Sequence, residues 1–396
     1  MSLFSRLLDC VGPMLCGVVL GLVPGPSVAQ HADHAAQKAG QGAAKAARKP
    51  PASLSIGAAF APSGELWVTG LDEQSRLYVQ TSADLGRTWG ERRVLDSQGD
   101  RIAADGENRP KIAFGPNGWT VISYTKPQPK PYTGDIRMLR SEDGGKTFTP
   151  PFTVHDDRQP ITHRFESIAF DSKGELTVLW IDKRDAEAAR AKDGGRTFGP
   201  DQKLADYSCE CCRIALIETP GSGMVAMWRH VFPGSIRDHA FAPLSDLGRG
   251  KPAIRSTQDE WQLGACPHHG PGLANARSGG FHSVWFAVRG GKAAVYYGRL
   301  SEDGKPAGEV RALPDERAEH ADVANAGESV AIVWRSFDGE RTRLRAWTSK
   351  DEGRRFALSE LGSSFDDNDH PRFAYRGAEV FSVWRTRGQI HVHKIL

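Results

Sequence analysis

The stretch Ser82-Ala-Asp84-Leu-Gly86-Arg-Thr88-Trp89 recurs three times along the chain with few changes. The other copies are Ser141-Glu-Asp143-Gly-Gly145-Lys-Thr147-Phe148, Ala191-Lys-Asp193-Gly-Gly195-Arg-Thr197-Phe198 and Ser349-Lys-Asp351-Glu-Gly353-Arg-Arg355-Phe356, and a degenerate copy begins at Ser301-Glu-Asp303-Gly304. In a tight hairpin, an aspartate accepts hydrogen bonds from the amides of its own loop and a glycine adopts positive φ. The pattern therefore predicts a repeated hairpin loop, which we call the aspartate loop.

A second repeat accompanies these loops: a short apolar strand, a turn with glycine, and a strand that often ends in tryptophan. Such second strands end at Trp180, Trp228, Trp285, Trp334 and Trp384. With an opening copy at 56–68, seven units begin near residues 55, 110, 165, 213, 272, 321 and 372. Units of roughly 50 residues are typical of the four-stranded blades of a β-propeller.

We therefore expect an all-β propeller over residues 53–396. The last unit has only three strand candidates before the chain ends at Leu396. A fourth strand borrowed from around Ala52 would complete seven blades, whereas merging the last unit with the first would give six. Seven blades are favoured, and six remain possible.

The aspartate loops resemble Asp boxes, the Ser-x-Asp-x-Gly-x-Thr-Phe/Trp repeats of sialidases and of many propellers that are not sialidases. The resemblance covers roughly residues 53–396 and implies the propeller fold. Sialidase activity would require an arginine cluster for the substrate carboxylate, a tyrosine nucleophile paired with glutamate, and an aspartate acid/base. Suitable arginines are Arg109, Arg164, Arg213 and Arg372. No tyrosine matches the nucleophile, so a propeller outside the sialidases is favoured and a sialidase-like glycoside hydrolase is the alternative.

The first 29 residues have the composition of a secretory signal peptide. Arg6 precedes an apolar stretch from Val11 to Val23, and Ser27 and Ala29 provide small residues at a cleavage site. The apolar stretch is shorter than the ~20 residues that a membrane-spanning helix needs, so no stable membrane insertion is expected after cleavage. We expect a periplasmic or secreted protein.

Residues 30–52 are rich in alanine and lysine and predict a disordered tail. This tail holds four basic residues and one acidic residue, 4 − 1 = +3, which accounts for the whole formal net charge of the chain. The remaining body is close to neutral. A basic face for nucleic acid is therefore not expected.

In a propeller, the joints that connect one blade to the next gather around one mouth of the central channel, opposite the aspartate loops. Several joints carry arginine or histidine, which suit a small anionic or glycan ligand. The candidates are Arg109, His163, Arg164, Arg213, His320, His370 and Arg372. A polar mouth on a closed scaffold is where such folds place function.

Two consecutive joints carry all four cysteines that follow the signal peptide. The first reads Cys209-Glu-Cys211-Cys212 and the second reads Cys266-Pro-His268-His269. Thiolate and imidazole ligands at one point predict a metal site, with Cu(I) favoured and Zn(II) possible. In an extended segment Cys211 and Cys212 would point to opposite sides, so at most one of them should face the channel.

The cysteines have two other possible fates. In an oxidising compartment they can pair as structural disulfides that connect adjacent blades, or form a redox-active thiol pair. The sequence thus leaves three hypotheses: a metal-binding propeller, a sialidase-like hydrolase, and a non-catalytic ligand-binding propeller with structural disulfides.

Overall fold

The computed structural model describes residues 53–183, 185–221 and 223–396. The predicted signal peptide and tail lie outside the described residues. The described chain is built from antiparallel strands, with two single-turn 3-10 segments at Pro116–Gly118 and Leu244–Asp246. No helix in these ranges is long and apolar enough to cross a membrane. The all-β prediction is confirmed.

The strands form seven sheets, and each sheet takes its strands consecutively from the chain. Blades 1 to 3 contain β1 (Gly57–Phe60), β2 (Leu66–Leu71), β3 (Leu77–Ser82), β4 (Arg93–Val94); β5 (Lys111–Phe114), β6 (Thr120–Pro127), β7 (Gly134–Ser141), β8 (Phe152–Thr153); and β9 (His163–Phe170), β10 (Leu176–Asp182), β11 (Asp185–Ala191), β12 (Gln202–Ala205).

The remaining strands form blades 4 to 7. They are β13 (Ala215–Thr219), β14 (Gly223–Arg229), β15 (His239–Pro243), β16 (Ile254–Arg255); β17 (Gly272–Asn275), β18 (Phe281–Arg289), β19 (Lys292–Leu300), β20 (Pro306–Ala312); β21 (Ala318–Ala326), β22 (Ser329–Phe337), β23 (Thr342–Ser349), β24 (Ala357–Ser364); and β25 (Arg372–Arg376), β26 (Glu379–Arg385), β27 (Ile390–Lys394).

The seven blades form a closed ring. The first strands of neighbouring blades contact one another in chain order, and β25 contacts β1. Seven blades are confirmed, but the seventh has three strands. The described residues before β1 form no strand. Instead, Ser55 Oγ and the Ile56 amide donate to the Asp369 carboxylate at 2.9 and 3.0 Å, so side-chain hydrogen bonds join the two ends of the ring.

The hydrophobic core lies between adjacent blades. Trp180 of β10 packs with Val121, Ile136 and Met138 of blade 2, and it is fully buried. The second strand β10 is buried along its whole length because both of its faces contact a neighbouring blade. This explains why the tryptophan-ended strands read as continuous apolar runs.

In all four aspartate loops the aspartate carboxylate accepts a hydrogen bond from the backbone amide four residues later. In the first loop the Asp84 carboxylate accepts from the Ser82 hydroxyl, the Thr88 amide and the Thr88 hydroxyl at 2.9, 2.8 and 2.7 Å, and the Gly86 amide donates to Ser82 Oγ at 2.8 Å. The loop that begins at Ser141 repeats all four bonds. These loops connect the third and fourth strands, so they lie opposite the joints.

The glycines of two aspartate loops, Gly145 and Gly353, face an aromatic side chain of the preceding blade. Gly145 has φ +82°, and a Cβ there would lie 2.9 Å from the Trp67 ring. Gly353 has φ +78°, and a Cβ there would overlap the Tyr297 hydroxyl. Glycine is therefore required both by the backbone conformation and by the close packing between blades.

We predict that Gly353→Ala lowers the free energy of unfolding by about 1–3 kcal/mol, because alanine is strained at positive φ and its methyl group displaces Tyr297. Urea denaturation would measure the change. Gly362→Ala is the matched control, since nothing lies within 4 Å of its Cβ position. Equal effects of the two substitutions would contradict the proposed packing.

Candidate functional site

The carboxylate of Glu107 lies at the centre of the joint face and is 4% exposed. One oxygen accepts from His320 Nδ1 at 3.2 Å and from Arg372 Nη2 at 3.3 Å. The other oxygen accepts from the backbone amides of Arg213 and Gly270 at 3.2 and 3.1 Å. These four partners belong to four different joints. The carboxylate therefore holds the mouth of the ring together.

The charges around Glu107 keep it ionised. Burial alone would raise its pKa, but hydrogen bonds from His320 and His370 and the positive charges of Arg372 and Arg213 hold the pKa well below its usual value. Burial and the neighbouring Arg213 in turn lower the pKa of Arg372 to about 9. Arg372 still carries its charge at neutral pH and pairs with the carboxylate.

Three imidazoles form a stacked row beside Glu107. The ring of His320 lies 4.2 Å from the ring of His269 and 3.4 Å from the ring of His370. Burial lowers the pKa of all three rings, most strongly for His269 and His370. The row is therefore neutral at neutral pH, and His320 can donate its Nδ1 proton to the Glu107 carboxylate.

The other arginines at the mouth are also paired with carboxylates of the chain. Arg109 binds Asp369 with two hydrogen bonds of 2.8 and 3.1 Å, and both side chains are buried. Arg164 Nη2 lies 3.6 Å from an oxygen of Asp105. Carboxylates of the chain itself therefore neutralise much of the positive charge at the mouth.

The structure places most of the candidate ligand-binding residues around Glu107. Arg109, Arg164, Arg213, His320, His370 and Arg372 lie there, whereas His163 lies between blades 2 and 3. Sequence reasoning missed Glu107 and Asp369. The available signal was the large number of basic residues in the joints of a nearly neutral body, because buried charges require partners of opposite sign.

Asp105 is the exposed carboxyl group of this mouth. Its side chain is 64% exposed, yet burial among the surrounding protein raises its pKa. The charges of Arg164 and His268 act against this effect of burial.

The four cysteines converge at one point beside the mouth. The Sγ atoms of Cys209 and Cys211 lie 3.4 Å apart, and those of Cys211 and Cys212 lie 3.6 Å apart. Cys266 also interacts with Cys209 and Cys211. All four are free thiols, and the first three are buried. We call these four residues the thiol cluster.

The expectation that Cys211 and Cys212 diverge is wrong. Residues 210–212 form a turn rather than an extended strand, and the two sulfurs point to the same side. Strand alternation does not apply within a turn. The turn thus brings together three sulfur atoms from four consecutive residues.

Two arginines lie beside the thiol cluster. Arg237 Nη1 donates to Cys209 Sγ at 3.3 Å, and Arg229, which is 1% exposed, lies close enough to Cys212 to favour its thiolate. Neither forms an ion pair with a carboxylate in the described part of the chain. Hydrogen bonds from the other thiols and the charge of Arg237 lower the pKa of Cys209 well below its usual value, whereas burial raises that of Cys212.

The two histidines of the second cysteine joint lie in other surroundings. His269 stacks between Phe286 and His320, in the row beside Glu107. His268 is close enough to Asp105 to lower the pKa of that carboxyl group. The group of potential ligands formed at the cysteines consists of Cys209, Cys211 and Cys212.

Comparison with known proteins gives similarity of fold only. No protein-family description and no curated protein matches the chain. Among solved structures, the α-L-arabinofuranosidase Arb93A from Fusarium graminearum is 13% identical, covers 78% of this chain and 94% of its own, and has a TM-score of 0.49.

The α-L-arabinanase from Penicillium chrysogenum is 13% identical, with coverages of 87% and 95% and a TM-score of 0.48. The NanB sialidase from Streptococcus pneumoniae is 9% identical, with coverages of 87% and 68% and a TM-score of 0.42. Likenesses this distant assign no residue of this chain to a catalytic role.

We predict that Glu107→Gln lowers the free energy of unfolding by about 3–5 kcal/mol, because it leaves buried positive charge without its partner. Urea denaturation at pH 7 would measure this, with Glu328→Gln as an exposed control. Equal stability of Glu107→Gln and the wild type would contradict the role of the carboxylate.

The same carboxylate predicts a pH dependence. Because the fold lowers the pKa of Glu107, its stabilisation is complete above the ordinary value of 4.5 and is lost as the pH falls toward the folded value. The stability of Glu107→Gln should therefore fall less steeply than that of the wild type as the pH decreases below 4.5. Parallel curves would count against this linkage.

Proposed function

We propose that this protein is an exported propeller that binds a soft transition-metal ion through the thiolates of Cys209, Cys211 and Cys212, with Cys266 as a further ligand. Cu(I) is the favoured ion and Zn(II) the alternative. The observation that supports this proposal is the convergence of three buried sulfurs, whose ligand atoms all lie within 4.8 Å of one another. Thiolates are the ligands that select Cu(I) and Zn(II).

The sulfur spacing fits a metal centre after small shifts. With metal–sulfur bonds of ~2.3 Å, ligands in a tetrahedral site lie about 3.8 Å apart. The Sγ separations of 3.4 and 3.6 Å are slightly shorter than this. A metal ion at the centre would therefore require the sulfurs to move apart by a few tenths of an ångström.

The charges of Arg229 and Arg237 also support a thiolate–metal centre. Arg229 is buried and donates to three backbone carbonyl oxygens, Arg237 is half-buried, and neither has a carboxylate partner in the described ranges. A buried charge without an opposite charge is costly. Cu(I) with three thiolates carries −2, and Zn(II) with four thiolates carries −2. Either centre would neutralise the charge of the two arginines. The Zn(II) centre would require Cys266 as its fourth thiolate, whereas the Cu(I) centre would not.

Export and the family assignment belong to the same proposal. The signal sequence favours the periplasm or the extracellular space. The shared hydrogen-bond pattern of the aspartate loops supports their assignment as Asp boxes, in a member of the sialidase-like superfamily that is not itself a sialidase. The partner of the mature protein would then be a metal ion rather than a nucleic acid.

We predict that the reduced protein binds one Cu(I), measured by competition with a chromogenic Cu(I) chelator. Cys209→Ser and Cys211→Ser should each weaken binding by roughly 100-fold or more, since each removes a ligand. Cys266→Ser should retain Cu(I) in a three-thiolate site and lose Zn(II). His269→Ala is the control, because His269 lies in the imidazole row.

Two results would overturn the metal proposal. One is unchanged Cu(I) affinity in the double variant Cys211→Ser, Cys266→Ser. The other is the absence of both metal and free thiols in protein purified without reductant, as determined by metal analysis and mass spectrometry. The latter result would favour a non-catalytic propeller with structural disulfides.

A sialidase-like glycoside hydrolase is the second candidate, and the environment of Asp105 favours it. An exposed carboxyl group with a raised pKa suits the general acid of glycoside hydrolysis. Arg164 beside it could contact an anionic or hydroxylated substrate. However, the other mouth arginines are paired with Glu107 and Asp369 and are not free to bind a substrate carboxylate.

If the hydrolase proposal is right, fluorogenic sialosides or arabinosides should be turned over, and Asp105→Asn should reduce kcat by roughly 100-fold or more through loss of the acid. Asp303→Asn, in the degenerate aspartate loop on the opposite face, serves as the control. Turnover that is absent, or equal in the two variants, would exclude this function.

A further inference from the structure

The segment that carries Cys266 is fixed to its own blade just before it reaches the cysteine. The Leu263 amide donates to the carbonyl oxygen of Ser235 at 3.2 Å, and the Leu263 carbonyl oxygen accepts from Arg237 Nε at 3.0 Å. Ser235 and Arg237 belong to the loop between β14 and β15. These bonds hold the chain in place up to residue 263.

The chain is fixed again shortly after the cysteine. The His269 carbonyl oxygen accepts from Arg229 Nη2 at 3.0 Å, and the Gly270 amide donates to the Glu107 carboxylate at 3.1 Å. A Cβ at position 270 would overlap Arg213, so glycine is needed for this close approach. The residues between these two anchors therefore span two fixed points.

Residues 264–268, which we call the strap, are not held by backbone hydrogen bonds. No backbone–backbone hydrogen bond within the described chain involves any of them. Gly264, Ala265 and His268 are exposed, and Cys266 is the one cysteine of the thiol cluster that is not buried. A short exposed segment without backbone hydrogen bonds opens locally at low cost, whereas a core strand opens only with the whole fold.

The strap covers the buried part of the thiol cluster. The three buried cysteines are at most 4% exposed, and the partly buried apolar or thiol side chains packed against them are those of Val231 and Cys266. The Val231 amide donates to the carbonyl oxygen of Tyr207 at 2.7 Å, so the backbone at Val231 is fixed. Of the two covering residues, Cys266 is therefore the one that can move aside.

The anchors of the strap also contact the thiol cluster. Arg237, which binds the Leu263 carbonyl oxygen, donates from Nη1 to Cys209 Sγ at 3.3 Å. Arg229, which binds the chain after the strap, lies beside Cys212. The same two guanidinium groups thus hold both ends of the strap and provide the positive charge beside the sulfurs.

We propose that the strap is the gate through which a metal ion reaches and leaves the buried thiolates, and that Cys266 is the ligand that moves with it. This inference rests on the proposed metal binding and adds the route of exchange. When the strap opens, the ion remains on the three thiolates of the turn and becomes accessible to an external soft ligand. When the strap closes on the ion, the Cys266 thiol loses its proton to solvent and its sulfur binds the ion as a fourth ligand.

The gate should affect the two candidate ions differently. Zn(II) with four thiolates requires the closed strap, whereas Cu(I) with three thiolates does not. A more flexible strap should therefore weaken the binding of Zn(II) but change only the rate at which Cu(I) is exchanged.

The first test uses the full mature protein, reduced and free of metal, with iodoacetamide as the probe. Mass spectrometry should find that Cys266 is alkylated first, and that the buried cysteines follow at a slower rate that is independent of urea below the unfolding transition. A local opening exposes little surface and therefore depends little on urea. Alkylation of the buried cysteines only in step with global unfolding would overturn the proposal.

The second test makes the strap more flexible by Ala265→Gly, a change at an exposed position. The alkylation rate of the buried cysteines and the rate of Cu(I) transfer to a chromogenic chelator should both rise by roughly 2- to 5-fold. The affinity for Zn(II) should fall by a similar factor, and the affinity for Cu(I) should be unchanged. Ala83→Gly is the matched control, because Ala83 is an exposed residue of the first aspartate loop, and it should behave as the wild type.

The outcomes separate the gate from the metal site itself. If neither Cu(I) nor Zn(II) binds, the proposed function is wrong and the gate is wrong with it. If Cu(I) binds but Ala265→Gly and Ala83→Gly transfer it at equal rates, the gate is wrong and the metal site stands. Faster transfer by Ala265→Gly at unchanged Cu(I) affinity supports the gate.

Discussion

The buried carboxylate of Glu107 is the interaction on which the joint face of the ring depends. Its partner Arg372 is 265 residues away in the chain, yet their side chains meet at 3.3 Å. An ionised carboxylate is stable in the interior only when several donors compensate it, and here the donors come from four joints. The ring must therefore be closed for the donors to reach this carboxylate, and the carboxylate in turn holds the joints of the closed ring together. The constraint also limits function, because the arginines that hold the carboxylates of the chain are not available to a ligand.

The thiol cluster lies apart from this compensated centre. Both oxygens of the Glu107 carboxylate accept hydrogen bonds, whereas in the thiol cluster sulfur atoms face one another. Two guanidinium groups lie beside these sulfurs. A soft ion between the thiolates would complete the site proposed at the thiol cluster.

The sequence was sufficient to predict the fold because the aspartate loops and the tryptophan-ended strands recur with a regular period. Ring geometry then predicted that the cysteine joints would converge. The repeats could not predict details that depend on local direction. Cys211 and Cys212 share one side because of a turn, and Glu107 belongs to no recognisable motif.

Blade 7, which has three strands, meets blade 1 where the first and last parts of the propeller come together. We call this place the seam. Elsewhere the strands of a blade follow one another without interruption, but at the seam the first and last parts of the propeller meet through Asp369, Ser55 and Arg109. A few charged and hydroxyl side chains join the two ends of the ring at this position. We therefore expect ring opening to begin at this seam and to respond to ionic strength and acidity more than the apolar contacts between the other blades.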